Sequence, residues 1–117
     1  MHCGGPLQEG TSPNAWYQRW GPTFQGLHLL CGYQTVTADN TIEGQHWANY
    51  MMNGWTVRQA WMQTGMDAQG RDARVAVMGA FDPAGVSDWN DHFWSHGTVG
   101  PAITSFGGYW MLSAPCD

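Results

Sequence analysis

The run Gly26-Leu27-His28-Leu29-Leu30-Cys31-Gly32-Tyr33 is nearly continuous in apolar residues and is bounded by glycines. Its length fits a strand buried on both faces, the kind found in parallel sheets that carry helices above and below. That requirement constrains the chain more than any other feature, because neighbouring strands and covering helices must come from the rest of the sequence.

Helix signals follow it directly. Asn40 with Glu43 three residues later is a capping-box pattern, and Trp47, Tyr50 and Met51 then fall at helical spacing before Asn53-Gly54 supplies a stop. Thr56 is placed to cap a second helix in which Val57, Ala60, Trp61 and Thr64 recur at i, i+3, i+4 and i+7, ending near Gly65. Residues 75–78 (VAVM) read as a second short strand. Residues 4–14 read as loop, and residues 15–20 as a helical turn ended by Gly21-Pro22. Past Pro83 the chain is loop-rich, with a helical stretch expected at 87–94 and a last strand at 109–112. The expected architecture is one α/β domain over 1–117 with a partial parallel sheet flanked by helices. It comprises a loop-rich segment (1–25), a strand-helix-helix-strand core (26–82) and an irregular tail rich in His and Trp (83–117).

Composition narrows the function classes. With 117 residues there is room for one domain, and 43% hydrophobic residues suffice for a core. Charged residues make up 11%, against roughly a quarter in an ordinary domain, and the net charge is −5. Four basic residues cannot neutralise many phosphates, which excludes nucleic acid and argues against anionic membranes. No apolar run approaches the ~18 residues of a membrane-spanning helix. The start has neither a basic n-region nor an apolar h-region, so no signal peptide is expected. Cys3, Cys31 and Cys116 form no C-x-x-C pair and allow at most one disulfide, which leaves the compartment open. Eight tryptophans and seven methionines fill the place of the missing charges, so the chain buries unusually many rings or shows some of them to a partner.

The segments WGPTFQGLHLLCGYQT, IEGQHWANYMMNGWTVRQAWMQT and WNDHFWSHG together resemble the C-terminal half of an uncharacterised microbial family that looks related to caspase-like and gingipain-like cysteine peptidases. The likeness covers roughly residues 3–97 and rests mostly on the helix-pair pattern from His46 to Trp61. It implies a caspase-like half-sheet, and it places Cys3, in Cys3-Gly4-Gly5-Pro6-Leu7-Gln8, at the nucleophile position. The family's base is a His-Gly histidine on an earlier strand. The given chain begins two residues before Cys3, so the resemblance implies a fragment or short relative whose base comes from elsewhere.

Four polar residues near the tail carry the other candidates. His92 and His96 are four apart; on a helix they face one way and could hold a divalent metal with Asp91 or Asp88 as third ligand. Alternatively His96 or His92 could act as general base for the Cys3 thiolate. A solvent-facing loop with both histidines bonded to backbone is the plainer alternative. Cys31, inside an apolar strand, and His28, between Leu27 and Leu29, read as core residues. His46 and Glu43 are expected to pair on one helix face. Trp47, Trp55 and Trp61 occupy packing positions, whereas Trp16, Trp20, Trp89 and Trp94 lie in polar surroundings where rings either stack on sugar faces or meet another subunit.

Three functions are therefore expected in competition: a cysteine-dependent, peptidase-like hydrolase using Cys3 with His96 or His92; a module binding neutral glycans through surface tryptophans; and a small metal enzyme at Asp91, His92 and His96. The substrate is a peptide or a glycan, and no cofactor is required by the thiol reading. The open strand edge and low charge lead to a further expectation, a homo-oligomer burying roughly 2,000 Å² or more.

Overall fold

The computed structural model describes residues 7–8, 10, 15–35, 42–70 and 73–116. Their elements run α1 (Trp16–Trp20), a 3-10 turn (Gly21–Thr23), β1 (Leu29–Tyr33), α2 (Glu43–Met52), α3 (Val57–Ala68), β2 (Arg74–Phe81) and β3 (Gly108–Pro115). The strands form one sheet in the order β1-β2-β3, and both pairings are antiparallel.

The α/β class is as expected; the parallel sheet is not. A single helix between two strands returns the chain to the starting end and yields a parallel pair. Here the connection holds two helices, joined at residues 53–56 and packed side by side, so that Trp47 lies 4.8 Å from Trp61 between ring centroids. The second helix cancels the return made by the first, and β2 enters running against β1.

The doubly buried strand is also a different one. Residues 75–80 of β2 are all buried, whereas Leu29, Leu30 and Cys31 of β1 are half-buried at the sheet edge. Both alternating sets along β2 are small and apolar. Val75 and Val77 join Tyr33, Trp61, Met62, Ala73 and Cys116 in a core under α3. Ala76, Met78 and Ala80 meet Leu7, Phe24 and Ile103 on the opposite face, with Trp16 and Trp20 packed against them. Helices cover the first face, while α1, the 3-10 turn and loops cover the second. Trp16 and Trp20, expected at the surface, contribute to this second core.

Helix α3 starts where its sequence says: the Thr56 hydroxyl accepts the Gln59 backbone N–H at 3.1 Å. It does not stop at Gly65 but runs through it to Ala68. Gly65 serves packing instead, since a Cβ there would stand 2.6 Å from the Val75 side chain. Asn40, the expected cap of α2, lies outside the described residues. Glu43 is turned inward, 4% exposed, and accepts the Tyr33 hydroxyl proton. Burial and that bond push the Tyr33 phenol well above its usual range. Trp55, assigned to packing by its position, stacks on Tyr50 at 4.5 Å with 38% of its surface exposed.

Residues 87–94 hold no helix; they form turns with two isolated bridges, Phe81 to Ser87 and Thr56 to His92. Local propensity gives way there to tertiary anchoring: Arg58 donates from Nε to the Trp89 carbonyl at 3.0 Å and lays its guanidinium 4.0 Å from that ring's centroid. Trp89 in turn meets Trp110 edge-on at 4.6 Å. The last strand begins one residue earlier than expected and continues three further, to Pro115.

Candidate metal centre

The irregular segment after β2 is held by its own polar groups before it reaches the site. Asp82 accepts the backbone N–H of Ala84 at 2.9 Å and of Val86 at 2.8 Å, fixing the first turn. The Asp91 backbone N–H then donates to the Asp88 carbonyl at 3.0 Å, and the Asp91 carbonyl accepts from Val57 N–H at 2.8 Å at the start of α3. These bonds, with the Arg58–Trp89–Trp110 stack, turn both Asp88 and Asp91 toward the residue that precedes β1, His28.

Three side chains meet there. His28 Nδ1 lies 2.6 Å from Asp91 Oδ2 and 3.2 Å from Asp88 Oδ2. The donor atoms of the three residues all fall within 4.8 Å of one another. Asp91 is further fixed by the Gly100 backbone N–H, which donates to Oδ1 at 2.6 Å. Glycine is required at position 100 for space, because a Cβ would stand 2.5 Å from Asp88 Oδ1. The imidazole keeps 31% of its side-chain surface, whereas the two carboxylates keep 1% and 5%.

Asp88 is the anomaly. Neither of its buried oxygens has a hydrogen-bond partner; His28 Nδ1, 3.2 Å from Oδ2, lies closer to Asp91. Desolvation first, and the Asp91 charge second, raise its pKa, with His28 opposing them. A buried carboxylate without donors is costly, on the order of 1–3 kcal/mol or more for a charged group. The indole nitrogens of Trp47 and Trp110 are also buried without a partner, but they carry no charge.

The donor set of one imidazole and two carboxylates suits borderline divalent cations such as Zn²⁺ and Mn²⁺. Around such an ion, ligands at about 2.0–2.2 Å stand about 2.8–3.6 Å apart at cis-octahedral or tetrahedral angles. The 3.2 Å separation is at that value, and the 2.6 Å one is shorter by a few tenths, as a hydrogen bond would make it.

Of the residues singled out in the sequence, Asp88 and Asp91, the alternative third ligands, both stand in this group. His92 and His96 do not. His92 Nδ1 is 3.1 Å from the Thr98 carbonyl and His96 Nδ1 is 3.2 Å from the Trp94 carbonyl, both within their own loop. They lack the helix that would have aligned them. Cys3 lies outside the described residues. Burial pushes the Cys31 thiol up to about 12, and burial likewise raises Cys116, so neither is a thiolate near neutrality. His28, read from the sequence as a core residue, completes the group. The sequence signal for His28 was an imidazole inside an apolar run with no local partner.

A wider groove of about 470 Å³ lies along α3, lined by residues including Trp55, Arg58, Met62, Met66 and Leu112, but it gathers no acid–base pair. No described helix is long and apolar enough to cross a membrane.

Residues 1–114 match a family described as a domain of unknown function, DUF6345, and the chain belongs to that family. No curated protein and no solved structure matches it. Nothing in these comparisons links the chain to caspase-like or gingipain-like peptidases, and the antiparallel sheet departs from the half-sheet that the resemblance implies.

Proposed function

We propose that this domain is a small metal-dependent enzyme, binding one divalent cation through His28, Asp88 and Asp91. The observation that carries the reading is Asp88, 1% exposed with both oxygens unpartnered beside an imidazole and a second carboxylate. Three protein ligands leave coordination positions open, the arrangement of catalytic rather than structural sites. A cation held so supplies a Lewis acid and a bound water of lowered pKa, which favours hydrolytic chemistry. Two carboxylates balance the charge of the ion, and the Gly100 N–H and the Arg58–Trp89 contact keep the ligands in place before it arrives. Compared with the metal set expected from the sequence, His28 takes the place of His92 and His96, and Asp91 and Asp88, there alternatives for one ligand position, both serve.

Calorimetric titration of EDTA-treated protein with Mn²⁺ and Zn²⁺ tests this. One ion per chain is expected, with affinity at least about 100-fold weaker in Asp88→Asn, or about 2.7 kcal/mol. Absence of binding at millimolar ion, or unchanged affinity in Asp88→Asn, rules the reading out.

A further inference from the structure

The sheet has two edges, and they are not alike. At β1 the Leu7 N–H donates to the Tyr33 carbonyl at 2.9 Å and Leu7 is fully buried, so the chain itself already occupies part of that edge. β3 forms the other edge, and among the described residues its one strand partner is β2. One bond fixes the phase of that ladder: the Cys116 N–H donates to the Ala73 carbonyl at 3.0 Å. In an antiparallel pair, residues that exchange both backbone bonds alternate with residues that turn both groups away. The pairs Ala114 with Val75, Leu112 with Val77 and Trp110 with Gly79 therefore carry the bonds to β2. Tyr109, Met111 and Ser113 point their N–H and C=O groups outward, where none of the described residues meets them.

Edges of this length are normally guarded by charge, proline or a bulge. β3 runs for eight residues, GYWMLSAP, without a charged one, and its proline is the last of them. Residues 108–114 are all half-buried, although Tyr109, Trp110, Met111 and Leu112 are among them. The apolar surface continues beside the edge. Leu112 also lines the groove along α3, where Trp55 keeps 38% and Met66 39% of their surface exposed.

The free backbone groups are symmetric about Met111. A twofold axis there sets Met111 against Met111 of a second copy and each Tyr109 against the other copy's Ser113, so every outward donor meets an outward acceptor. A shift of two residues in either direction leaves groups unmatched at the ends. In the matched register Trp110 faces Leu112 across the seam on the α3 side, an aromatic–aliphatic pair formed twice. Pro115, with no N–H, falls beyond the last matched pair. No like charges are brought together.

We propose that two copies of this chain pair antiparallel through β3, with Met111 on the twofold axis, to give one continuous sheet in the order β1-β2-β3-β3-β2-β1. A foreign strand would satisfy the same backbone groups, but the symmetric register and the uncharged, self-matching side chains select a second copy. The assembly closes at two, because each copy spends its one β3 edge. The proposal does not depend on the metal reading.

Light scattering on the full chain between about 1 and 100 μM tests it. Expected is twice the 13.0 kDa chain mass, with Kd at or below about 10 μM. Met111→Lys and Met111→Glu each set two like charges face to face and should weaken association at least about tenfold, whereas the two variants mixed in equal amounts should recombine as a heterodimer. Ser113→Pro removes an outward N–H that β2 does not use; it should weaken the dimer too, and it decides the matter if the Met111 variants fail to fold. Amide exchange at Tyr109, Met111 and Ser113 should slow as the concentration rises through Kd. A monomer at about 100 μM overturns the proposal and leaves the edge to a foreign strand. A dimer indifferent to both Met111→Lys and Ser113→Pro, folded charge variants that do not recombine, or growth into open-ended polymers overturns it equally.

Discussion

Among the described residues histidine meets aspartate in two places, at His46 and at His28, and their surroundings give them opposite characters. His46 Nδ1 is 3.1 Å from Asp67 Oδ2 on the outer side of α2 and α3, with side-chain exposures of 37% and 23%. Asp67 has donors for both oxygens: Gln63 at 2.9 Å on Oδ1, and the Tyr50 hydroxyl together with His46 on Oδ2. Desolvation pulls its pKa up, but the bonds from Tyr50, Gln63 and His46 outweigh it and hold the carboxyl below its ordinary value. At His28 the carboxylates are buried, one imidazole is shared between two acids, and Asp88 is raised instead. The first contact is finished by protein donors; the second lacks them. The same residue types thus serve structure in one place and, in the function proposed here, metal binding in the other, and the count of donors per buried carboxylate distinguishes them.

The largest expected effect separates the two contacts by cation affinity. Asp67→Asn should leave Mn²⁺ binding within about twofold, whereas His28→Ala should weaken it at least about 100-fold, or about 2.7 kcal/mol, by calorimetry. Equal losses would abolish the distinction. Next in size, Gly100→Ala forces a methyl against Asp88 and draws the Gly100 N–H from Asp91. Denaturant unfolding of the metal-stripped protein should show a loss of about 1–3 kcal/mol.

A smaller effect has the opposite sign. Asp88→Asn removes a buried charge that accepts no hydrogen bond, so the metal-stripped variant should be more stable than the parent at pH 7.5, by on the order of 1–2 kcal/mol, or roughly 4–8 °C in Tm. The folded pKa of Asp88 lies above its unfolded value. Its contribution is therefore most favourable below the unfolded value and is lost as pH rises through the folded one. The gain in the Asn variant should shrink as pH falls from 7.5 toward 4, read by thermal unfolding in EDTA. A constant difference across that range would show that Asp88 does not titrate as an unpartnered acid.

The smallest effect belongs to the satisfied pair. Asp67→Asn should cost under about 1 kcal/mol at neutral pH, as solvent-screened contacts do. Because the folded pKa of Asp67 is depressed, that contribution is present above the ordinary Asp value and fades only in acid, as pH falls through the folded one. The two carboxylates thus bend the stability curve in opposite directions.

Local signals in the sequence were enough for α1, α2 and α3 and for most of β2 and β3, but they also suggested a helix at 87–94 that tertiary anchoring replaces with turns. Thr56 caps α3 because its hydroxyl reaches an amide three residues on, and the i, i+3, i+4 series from Val57 puts Ala60 and Trp61 into the core. The short continuous apolar run in residues 75–80 encodes a strand wherever it lies in the sheet. Strand direction and rank were decided by tertiary structure. Whether β1 or β2 is central depends on which one the other strands flank, and apolar runs in both are compatible with either answer. The site divides the same way. Asp88 and Asp91 could be singled out from the polar cluster they share with His92 and His96. His28, 63 residues from Asp91 in sequence, could be joined to them only by the pairing that brings the start of β1 to the loop after β2. The absence of donors around Asp88 is a property of the packed environment: a sequence records which groups a chain carries, and only the fold decides which of them water can no longer reach.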